Sequence, residues 1–331
     1  MHHFLSTEDL SAEAIDALLA DARALKAAPR QERLAGKRCA LLFFNPSLRT
    51  RTSFQVAIAD LGGTSVVLDA AGTWPLEITP GAVMDGEAEE HVAEAARVLS
   101  TYVDLIGIRA FPKFEDWSRE REDPLLAAFV RHAGVPVINM ETIVHPCQEL
   151  AMLMALEDHH GDLAGKKFCL TWTWHPKPLN TAVANSALLA ATKMGMEVTL
   201  LCPSPEYILD ERFIDAGKRF ADGHGRSLTI THDIEEAYAG ADAVYAKSWG
   251  RLDQIGMPMA QRMTPGDLRH FIVDEEKMAR TNGATFSHCL PMRRNVKATD
   301  AVVDGPRSLI IQEAENRLHV QKAVLSALIG S

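Results

Sequence analysis

The sequence of 331 residues has few cysteines, no excess of basic residues and no long apolar run. Its five cysteines are odd in number, and at least four lie in apolar, strand-like or motif surroundings, which is typical of a reduced, cytoplasmic protein and not of a disulfide framework. The formal net charge is −10 and the arginines are dispersed, so we expect no nucleic-acid partner. No apolar run could span a bilayer, and no basic segment followed by an apolar one opens the chain. We therefore expect neither a membrane span nor a signal peptide.

Sites for metals and dinucleotides are also missing from the pattern. The pairs His2-His3 and His159-His160 lack cysteine or carboxylate partners at ligand spacing, so we predict no metal site. No Gly-x-Gly-x-x-Gly follows a predicted strand, which disfavours a dinucleotide-binding α/β protein. We therefore expect no cofactor.

Short apolar segments alternate with helical patterns along most of the chain. They cover residues 39–44, 64–68, 103–108, 135–139, 168–172, 198–202, 227–231, 243–246, 270–273, 284–287 and 307–311. This alternation predicts an α/β protein, and the length predicts two domains, each with a central parallel sheet flanked by helices. We assign residues 1–144 and a C-terminal helix, 313–331, to the first domain. Residues 145–312 form the second, with a bridging helix at 145–160.

The stretch after the first predicted strand has the features of an anion site. Asn45-Pro46 ends the strand, and Ser47 is a good N-cap for a helix that stops at Gly62-Gly63. Free backbone N–H groups and the helix dipole favour an anion at such a turn, and the guanidinium groups of Arg49 and Arg51 suit phosphate. A capped helix carrying two solvated arginines is the alternative interpretation of this stretch taken alone.

Two more polar residues follow predicted strands, namely Arg109 and Glu141. In parallel sheets, ligands bind outside the carboxyl ends of the strands. We therefore expect the Ser47–Arg51 stretch, Arg109 and Glu141 to face one crevice.

Three short motifs occur in order along the chain: Ser47-Leu48-Arg49-Thr50-Arg51, His145-Pro146-Cys147-Gln148 and His288-Cys289-Leu290-Pro291. Each is weak alone. Together, at these separations, they resemble the transcarbamylase family, which includes the aspartate and ornithine carbamoyltransferases. The resemblance covers nearly the whole chain and implies the transcarbamylase fold, with a carbamoyl-phosphate-binding first domain. It also implies an enzyme that transfers the carbamoyl group of carbamoyl phosphate to an amine.

The resemblance also implies roles for individual residues. The phosphate would be held by Ser47, Leu48, Arg49 and Thr50. The carbamoyl end would be surrounded by Arg109, His145 and Gln148, with Arg317 also reaching the ligand. The backbone carbonyls of Cys289 and Leu290 would accept hydrogen bonds from the carbamoyl and acceptor amines. We reject a nucleophilic role for the Cys289 thiol, because no base adjoins it in sequence and the carbamoyl donor is already activated.

Within the family, the chain is most similar to the branch that acts on acylated ornithine. Ornithine enzymes hold the free α-amino group with an aspartate, and Lys247 stands at the corresponding place here. A lysine repels an ammonium and suits a carboxylate, so we expect an acceptor with an uncharged α-nitrogen, N-acetylornithine. Lys247 would pair with the carboxylate of this acceptor, and Glu141 would accept a hydrogen bond from the acceptor. Succinylornithine, free ornithine and a non-catalytic metabolite-binding homologue are the alternatives.

A long segment at residues 70–88, which runs into the acidic stretch 85–90, bears on the choice between acetyl and succinyl acceptors. The resemblance implies that a glutamate at Glu89 favours acetyl over succinyl, because a glutamate would repel the second carboxylate of a succinyl group. It also implies that the loop reaches the site of a neighbouring subunit. Trp74 and Glu89 would then act in trans, in a homotrimer with shared sites.

Lys297 lies in the segment Asn295-Val296-Lys297-Ala298, which is similar to a family segment whose lysine is N-carboxylated. Carboxylation requires a neutral amine, so burial or nearby positive charge would have to lower the pKa of this lysine. Arg293 and Arg294 are candidates for that charge. A CO₂ adduct on Lys297 is therefore a hypothesis.

Overall fold

The computed structural model describes residues 1–330, which divide into two compact units. Unit 1 comprises Met1–Cys147 and the chain from Arg317 onward, and unit 2 comprises Gln148–Asn316. Both divisions fall inside helices, whereas the predicted boundaries lie before residues 145 and 313. No helix within residues 1–330 has the length and apolar character needed to cross a membrane.

Unit 1 contains a four-stranded parallel sheet with the order β2-β1-β5-β6 and a short two-stranded ladder, β3-β4. Its elements up to the unit boundary are α1 (Ala12–Ala27), β1 (Arg38–Phe43), α2 (Arg49–Asp60), β2 (Thr64–Asp69), β3 (Leu76–Glu77), β4 (Glu90–His91), α3 (Val92–Tyr102), β5 (Leu105–Arg109), α4 (Trp117–Glu120), α5 (Pro124–His132) and β6 (Val137–Glu141). Helix α6 (Pro146–His160) follows and crosses the division between the units.

Three strands of unit 1 are almost fully buried, as in parallel sheets whose two faces are both covered. In β5 and β6 every residue is buried, and in β1 only Arg38 is exposed. The chain runs from β1 to β2 on one side of the sheet and then returns to β5 on the other side of β1. The crevice at such a reversal is the usual ligand site of an open parallel sheet. Here it lies between the ends of β1 and β5, next to the turn before α2.

Unit 2 contains a five-stranded parallel sheet with the order β11-β10-β7-β8-β9. Its elements are β7 (Lys167–Trp172), α7 (Ala182–Lys193), β8 (Glu197–Leu201), α8 (Glu211–Gly223), β9 (Leu228–Thr231), α9 (Ile234–Tyr238), β10 (Ala243–Lys247), α10 (Glu275–Ala279), β11 (Thr285–Ser287) and α11 (Asp300–Val303). Helix α12 (Ile310–Ile329) then crosses the division. The order reverses between β7 and β10, and Lys247 is the last residue of β10.

These two sheets confirm the predicted fold class. Two predicted strands are wrong. Residues 270–273 contain the end of a short 3-10 helix, Gly266–Phe271, and an isolated bridge from Val273 to Ala298. Residues 307–311 do not form a strand either. Ser308 makes only an isolated bridge with Phe286, and α12 already begins at Ile310. Ile310 is buried and Ile311 is 75% exposed. The apolar run Leu309-Ile310-Ile311 reads as a strand from composition alone, but it is the start of a helix.

Candidate active site

The turn between β1 and α2 contains the hydrogen bond expected of a capping serine, although Leu48 and not Ser47 immediately precedes the helix. The Ser47 hydroxyl accepts a hydrogen bond from the backbone N–H of Thr50 at 3.1 Å. Helix α2 begins at Arg49, and Leu48, the residue before it, is 76% exposed. At its other end, Gly62 has φ +80°, a left-handed conformation that favours glycine and stops the helix where predicted.

Two arginines from distant parts of the sequence meet at Thr50. Arg109 Nη1 donates to the Thr50 hydroxyl at 3.2 Å, and Arg317 Nη2 donates to the same oxygen at 2.8 Å. All three residues are buried. The end of β5 therefore supplies Arg109 and helix α12 supplies Arg317 to the turn before α2, as the strand-end argument predicts for Arg109.

A carboxylate completes this group in unit 1. Glu141 Oε2 accepts a hydrogen bond from Arg109 Nη1 and lies 3.4 Å from His145 Nε2. Glu141 and His145 are buried like Arg109, so the ion pair offsets part of the cost of burying its charges. We call Thr50, Arg109, Glu141, His145 and Arg317 the arginine cluster.

Positive charge exceeds negative charge at the arginine cluster. Burial lowers the pKa of Arg317, the nearby Arg109 and Arg49 lower it further, and Cys147 and Glu141 act in the opposite direction. Arginine nevertheless keeps its proton in proteins, because its unperturbed pKa is so high. A buried group with several guanidinium groups and one carboxylate is suited to bind a dianion.

Arg51 lies apart from this cluster. Its guanidinium donates to the Asp69 carboxylate and lies 4.6 Å above the centre of the Phe43 ring. The parallel pairing of β1 with β2 places Phe43 opposite Asp69, so both partners of Arg51 lie at the same point of the sheet. The guanidinium of Arg51 therefore binds residues of β1 and β2 at the edge of the sheet.

The two loop residues predicted to act in trans lie on the exposed segment between β2 and α3. Trp74 is 66% exposed and lines a cavity of about 680 Å³ in unit 1 together with Phe44, Phe111 and Ile143. Glu89 is exposed and immediately precedes β4. Val83, on the same segment, is 82% exposed.

In unit 2, Gln148 belongs to a buried polar network. Gln148 Nε2 donates to Glu313 Oε1, which also accepts from the Tyr245 hydroxyl at 2.8 Å. The Ser287 hydroxyl donates to Glu313 Oε2. Gln148 Oε1 is buried and has no hydrogen-bond partner within residues 1–330. The side-chain oxygen therefore remains available to accept a hydrogen bond from a ligand.

A second group in unit 2 surrounds Lys297, which is 2% exposed. Burial lowers the pKa of Lys297 to about 7, and the charges of Lys247 and Arg293 lower it as well, with Cys289 opposing them. We call Lys247, His288, Arg293 and Lys297 the lysine cluster. The predicted effect of Arg293 has the expected direction. The prediction for Arg294 is wrong, because its guanidinium pairs with Asp300 at 2.9 Å and Asp304 at 2.6 Å, which raise its pKa.

The hydrogen bonds of His288 favour a neutral Lys297. The backbone N–H of Leu290 donates to His288 Nδ1 at 2.8 Å, so the proton of a neutral ring lies on Nε2. His288 Nε2 is 3.4 Å from Lys297 Nζ. An N–H on that nitrogen can donate to Nζ only if the lysine has a lone pair. Leu290 itself has φ +52°, a conformation rare for a bulky residue and typical of functional sites.

Sequence reasoning missed two residues near these groups. Glu313 precedes Arg317 by four residues on α12, and that helical spacing next to a predicted ligand residue was the available signal. His175 follows the end of β7; burial lowers its pKa, and Lys297, Arg293 and Lys247 add to that effect. Its position just past a strand was the signal for His175.

The cysteines and potential metal ligands show no further site. All five cysteines are buried and free, as predicted. Burial raises the pKa of Cys39 and of Cys202 to about 12, so these thiols stay protonated near neutral pH. Within residues 1–330, no group of three or more His, Cys, Asp or Glu side chains is arranged to hold a metal ion.

Known proteins resemble the chain over its full length. Residues 2–158 match the carbamoyl-P binding domain of aspartate/ornithine carbamoyltransferases, and residues 166–328 match their Asp/Orn binding domain. The chain is 60% identical to the N-acetylornithine carbamoyltransferase of Xanthomonas campestris pv. campestris, covering 100% of this chain and 98% of that protein. It is 37% identical to the N-succinylornithine carbamoyltransferase of Bacteroides fragilis, covering 87% and 86%.

A solved structure gives the same result. The crystal structure of acetylornithine transcarbamylase complexed with acetylcitrulline superposes with a TM-score of 0.96 at 59% identity, covering 100% of both chains. The resemblance drawn from three short motifs is thereby confirmed along the whole chain. This protein belongs to the aspartate/ornithine carbamoyltransferase family.

Proposed function

We propose that the protein transfers the carbamoyl group of carbamoyl phosphate to the side-chain amine of N-acetyl-L-ornithine, giving N-acetyl-L-citrulline and phosphate. This reaction is a step of arginine biosynthesis. The observation that carries the proposal is the buried arginine cluster, in which Arg109 and Arg317 converge on Thr50 at the start of α2. The acceptor is supported by the 60% identity to a carbamoyltransferase named for N-acetylornithine, against 37% to one named for N-succinylornithine.

The phosphate group would bind at the turn before α2. Ser47, Leu48, Arg49 and Thr50 offer backbone N–H groups, hydroxyls and a guanidinium at a helix N-terminus, which favours a dianion. Arg109 and Arg317 add positive charge that burial leaves unscreened by water. As phosphate departs with the electron pair of the broken C–O bond, these groups stabilise the charge that develops on it.

The carbamoyl group would be held by hydrogen-bond donors at its oxygen and hydrogen-bond acceptors at its nitrogen. Donors such as His145 Nε2, Arg109 and Thr50 stabilise negative charge on the carbonyl oxygen as the acceptor amine attacks the carbon. The carbonyls of Cys289 and Leu290 and the side-chain oxygen of Gln148 accept hydrogen bonds from nitrogen. The attacking amine loses one proton as the new C–N bond forms and the C–O bond to phosphate breaks.

The acceptor would be selected by charge. Lys247 is buried at the end of β10, and its ammonium suits the acceptor's carboxylate and disfavours a free α-ammonium. Glu141 would accept a hydrogen bond from the acceptor.

Lys297 would carry a CO₂ adduct. A carbamate forms when the lone pair of a neutral amine attacks CO₂ and the nitrogen loses a proton. The lowered pKa and the His288 contact of Lys297 support a neutral amine at physiological pH. The adduct would replace a cation by an anion and offset the positive charge of Lys247 and Arg293. We propose no metal and no other cofactor.

We also propose a cytoplasmic homotrimer in which Trp74 and Glu89 complete a neighbour's site. The exposure of Trp74 and of Val83 supports a loop that packs on another subunit. In this arrangement, mixing Trp74→Ala protein with Arg109→Met protein should restore part of the activity that each lacks, because hybrid trimers contain some intact sites. Equal inactivity of the mixture, with subunit exchange verified, would contradict shared sites.

The acceptor is tested by one colorimetric assay for citrulline-type products. Carbamoyl phosphate is supplied with N-acetylornithine, N-succinylornithine or ornithine in parallel. We expect turnover confined to the acetylated acceptor, and a Glu89→Pro variant should shift the preference toward the succinylated acceptor by roughly tenfold. Turnover of free ornithine alone would contradict the role of Lys247. No turnover with any acceptor would favour a homologue that only binds metabolites.

A further inference from the structure

Glu313 is a fully enclosed carboxylate that accepts hydrogen bonds from buried side chains. It is 0% exposed and lies on the part of α12 that belongs to unit 2. Its partners include the Gln148 amide, the Tyr245 hydroxyl and the Ser287 hydroxyl, each of them also buried. Burying a carboxylate costs desolvation free energy even when it is hydrogen-bonded. An apolar residue of the same volume would avoid that cost, which suggests that the carboxylate has a function.

Glu313 fixes which end of the Gln148 amide faces it. Gln148 Nε2 donates to Glu313 Oε1, so the NH₂ end of the amide is turned toward the carboxyl group. The opposite end of that amide, Oε1, is then the atom that points away from Glu313, and it has no hydrogen-bond partner in residues 1–330. A glutamine without this neighbour could present either its oxygen or its NH₂ group to a ligand.

Tyr245 and Ser287 hold the carboxylate itself. The Tyr245 hydroxyl shares Oε1 with Gln148, and Ser287 binds Oε2, so both oxygens of Glu313 are fixed from unit 2. Tyr245 lies in β10 and Ser287 ends β11, which are neighbouring strands of one sheet. The carboxylate therefore has a defined position, and so has the amide plane of Gln148.

We propose that Glu313 is a positioning residue for recognition of the carbamoyl nitrogen. By binding Gln148 Nε2, it makes Gln148 present an oxygen, and an oxygen accepts from the carbamoyl NH₂ group but gains nothing from a methyl group. Glu313 would thus let the enzyme distinguish carbamoyl phosphate from acyl phosphates of the same shape. The inference rests on the proposed function, since it needs carbamoyl phosphate as the ligand.

The test compares two ligands that differ at one group. Acetyl phosphate has a methyl group where carbamoyl phosphate has NH₂. Dissociation constants of both are measured by calorimetry on the full-length protein without acceptor. We expect Glu313→Met to raise the dissociation constant of carbamoyl phosphate by about tenfold, the effect of one hydrogen bond. The dissociation constant of acetyl phosphate should change by less than about twofold. A purely structural role would weaken both ligands alike.

Three further variants make the comparison decisive. The ratio compared is the dissociation constant of acetyl phosphate divided by that of carbamoyl phosphate. Glu315→Gln, on the exposed face of the same helix, is the matched control and should keep the wild-type ratio. In a Gln148→Met background, Glu313→Met should change that ratio no further, because the oxygen it positions is gone. Glu313→Gln keeps the shape and folds more readily. Its carboxamide can meet either end of the Gln148 amide, so we expect a loss of roughly threefold in the ratio.

The outcomes separate this inference from the proposed function. If the wild type fails to bind carbamoyl phosphate, both are wrong. If the wild type binds it and Glu313→Gln and Glu313→Met keep the wild-type ratio, the positioning role is overturned and the transfer function stands. A ratio that falls in both variants and is insensitive to Glu313 once Gln148 is replaced supports the role.

Discussion

The arginine cluster of unit 1 and the lysine cluster of unit 2 bury positive charge in opposite ways. Arg109 and Arg317 are buried beside Glu141, and their guanidinium groups keep their protons. Lys297 is buried near Lys247 and Arg293, and its pKa falls to about 7. The difference lies in the side chains, because an ammonium titrates within reach of neutral pH once it is desolvated and a guanidinium does not. One cluster is therefore built to bind an anion, and the other to lose a proton.

The largest expected effect comes from removing charge from the arginine cluster. Arg109→Met deletes a phosphate-binding cation and leaves Glu141 buried without it. We expect kcat/KM for carbamoyl phosphate to fall by about a thousandfold, as when a charged transition-state contact is lost. Steady-state kinetics at varied carbamoyl phosphate measure this.

Arg51→Met is the matched control for that prediction. Arg51 pairs with Asp69 at the sheet edge, so its loss should lower kcat/KM by less than about tenfold. Equal losses in the two variants would contradict the separate placement of the two arginines.

The second largest effect comes from Lys297. Lys297→Met cannot form a carbamate, so we expect kcat with acetylornithine to fall by roughly a hundredfold and to ignore added bicarbonate. Wild-type protein freed of CO₂ by acid treatment should regain activity when bicarbonate is added. A variant with wild-type turnover would show that the amine has no part in the reaction.

The smallest effect concerns stability. In CO₂-free buffer the native state binds one proton fewer at Lys297 than the unfolded state does between pH 7 and 10.5. The free energy of unfolding therefore rises with pH across that window. Below it, the full cost of burying the protonated Lys297 side chain applies. Lys297→Met should remove this slope. Its free energy of unfolding relative to wild type should be most favourable near pH 7 and decline by roughly 1–3 kcal/mol toward pH 10.

Urea unfolding of both proteins at several pH values measures that slope. Lys167→Met, at the exposed start of β7, is the control for loss of a surface lysine. A constant difference between Lys297→Met and wild type would mean that Lys297 stays protonated when folded.

Much of the fold and part of the arginine cluster could be predicted because strand ends can be read from local sequence, whereas His145 and Arg317 were expected only from the family resemblance. Strand ends are readable, so Arg109 and Glu141 could be placed at one edge before any coordinates were known. Ser47 could be read as a cap for the same reason. The fate of Arg51 was not readable, since it depends on the register of β1 with β2.

Contacts between distant segments account for the failure to predict Glu313. Glu313 meets Gln148, Tyr245 and Ser287, and no local pattern joins those positions. The prediction for Arg294 failed for a different reason. Its positive charge is paired with the nearby Asp300 and Asp304, and its closeness to Lys297 in sequence did not reveal those partners.

The contrast between the two clusters is tested most directly by carbon NMR of the protein equilibrated with ¹³C-bicarbonate. We expect one carbamate resonance in wild-type protein that grows as the pH rises through about 7, the pKa of Lys297, and that is missing in Lys297→Met. Loss of that resonance in Lys167→Met, or its persistence in Lys297→Met, would place the adduct elsewhere. No carbamate resonance in wild type at any pH would contradict a neutral, CO₂-binding Lys297.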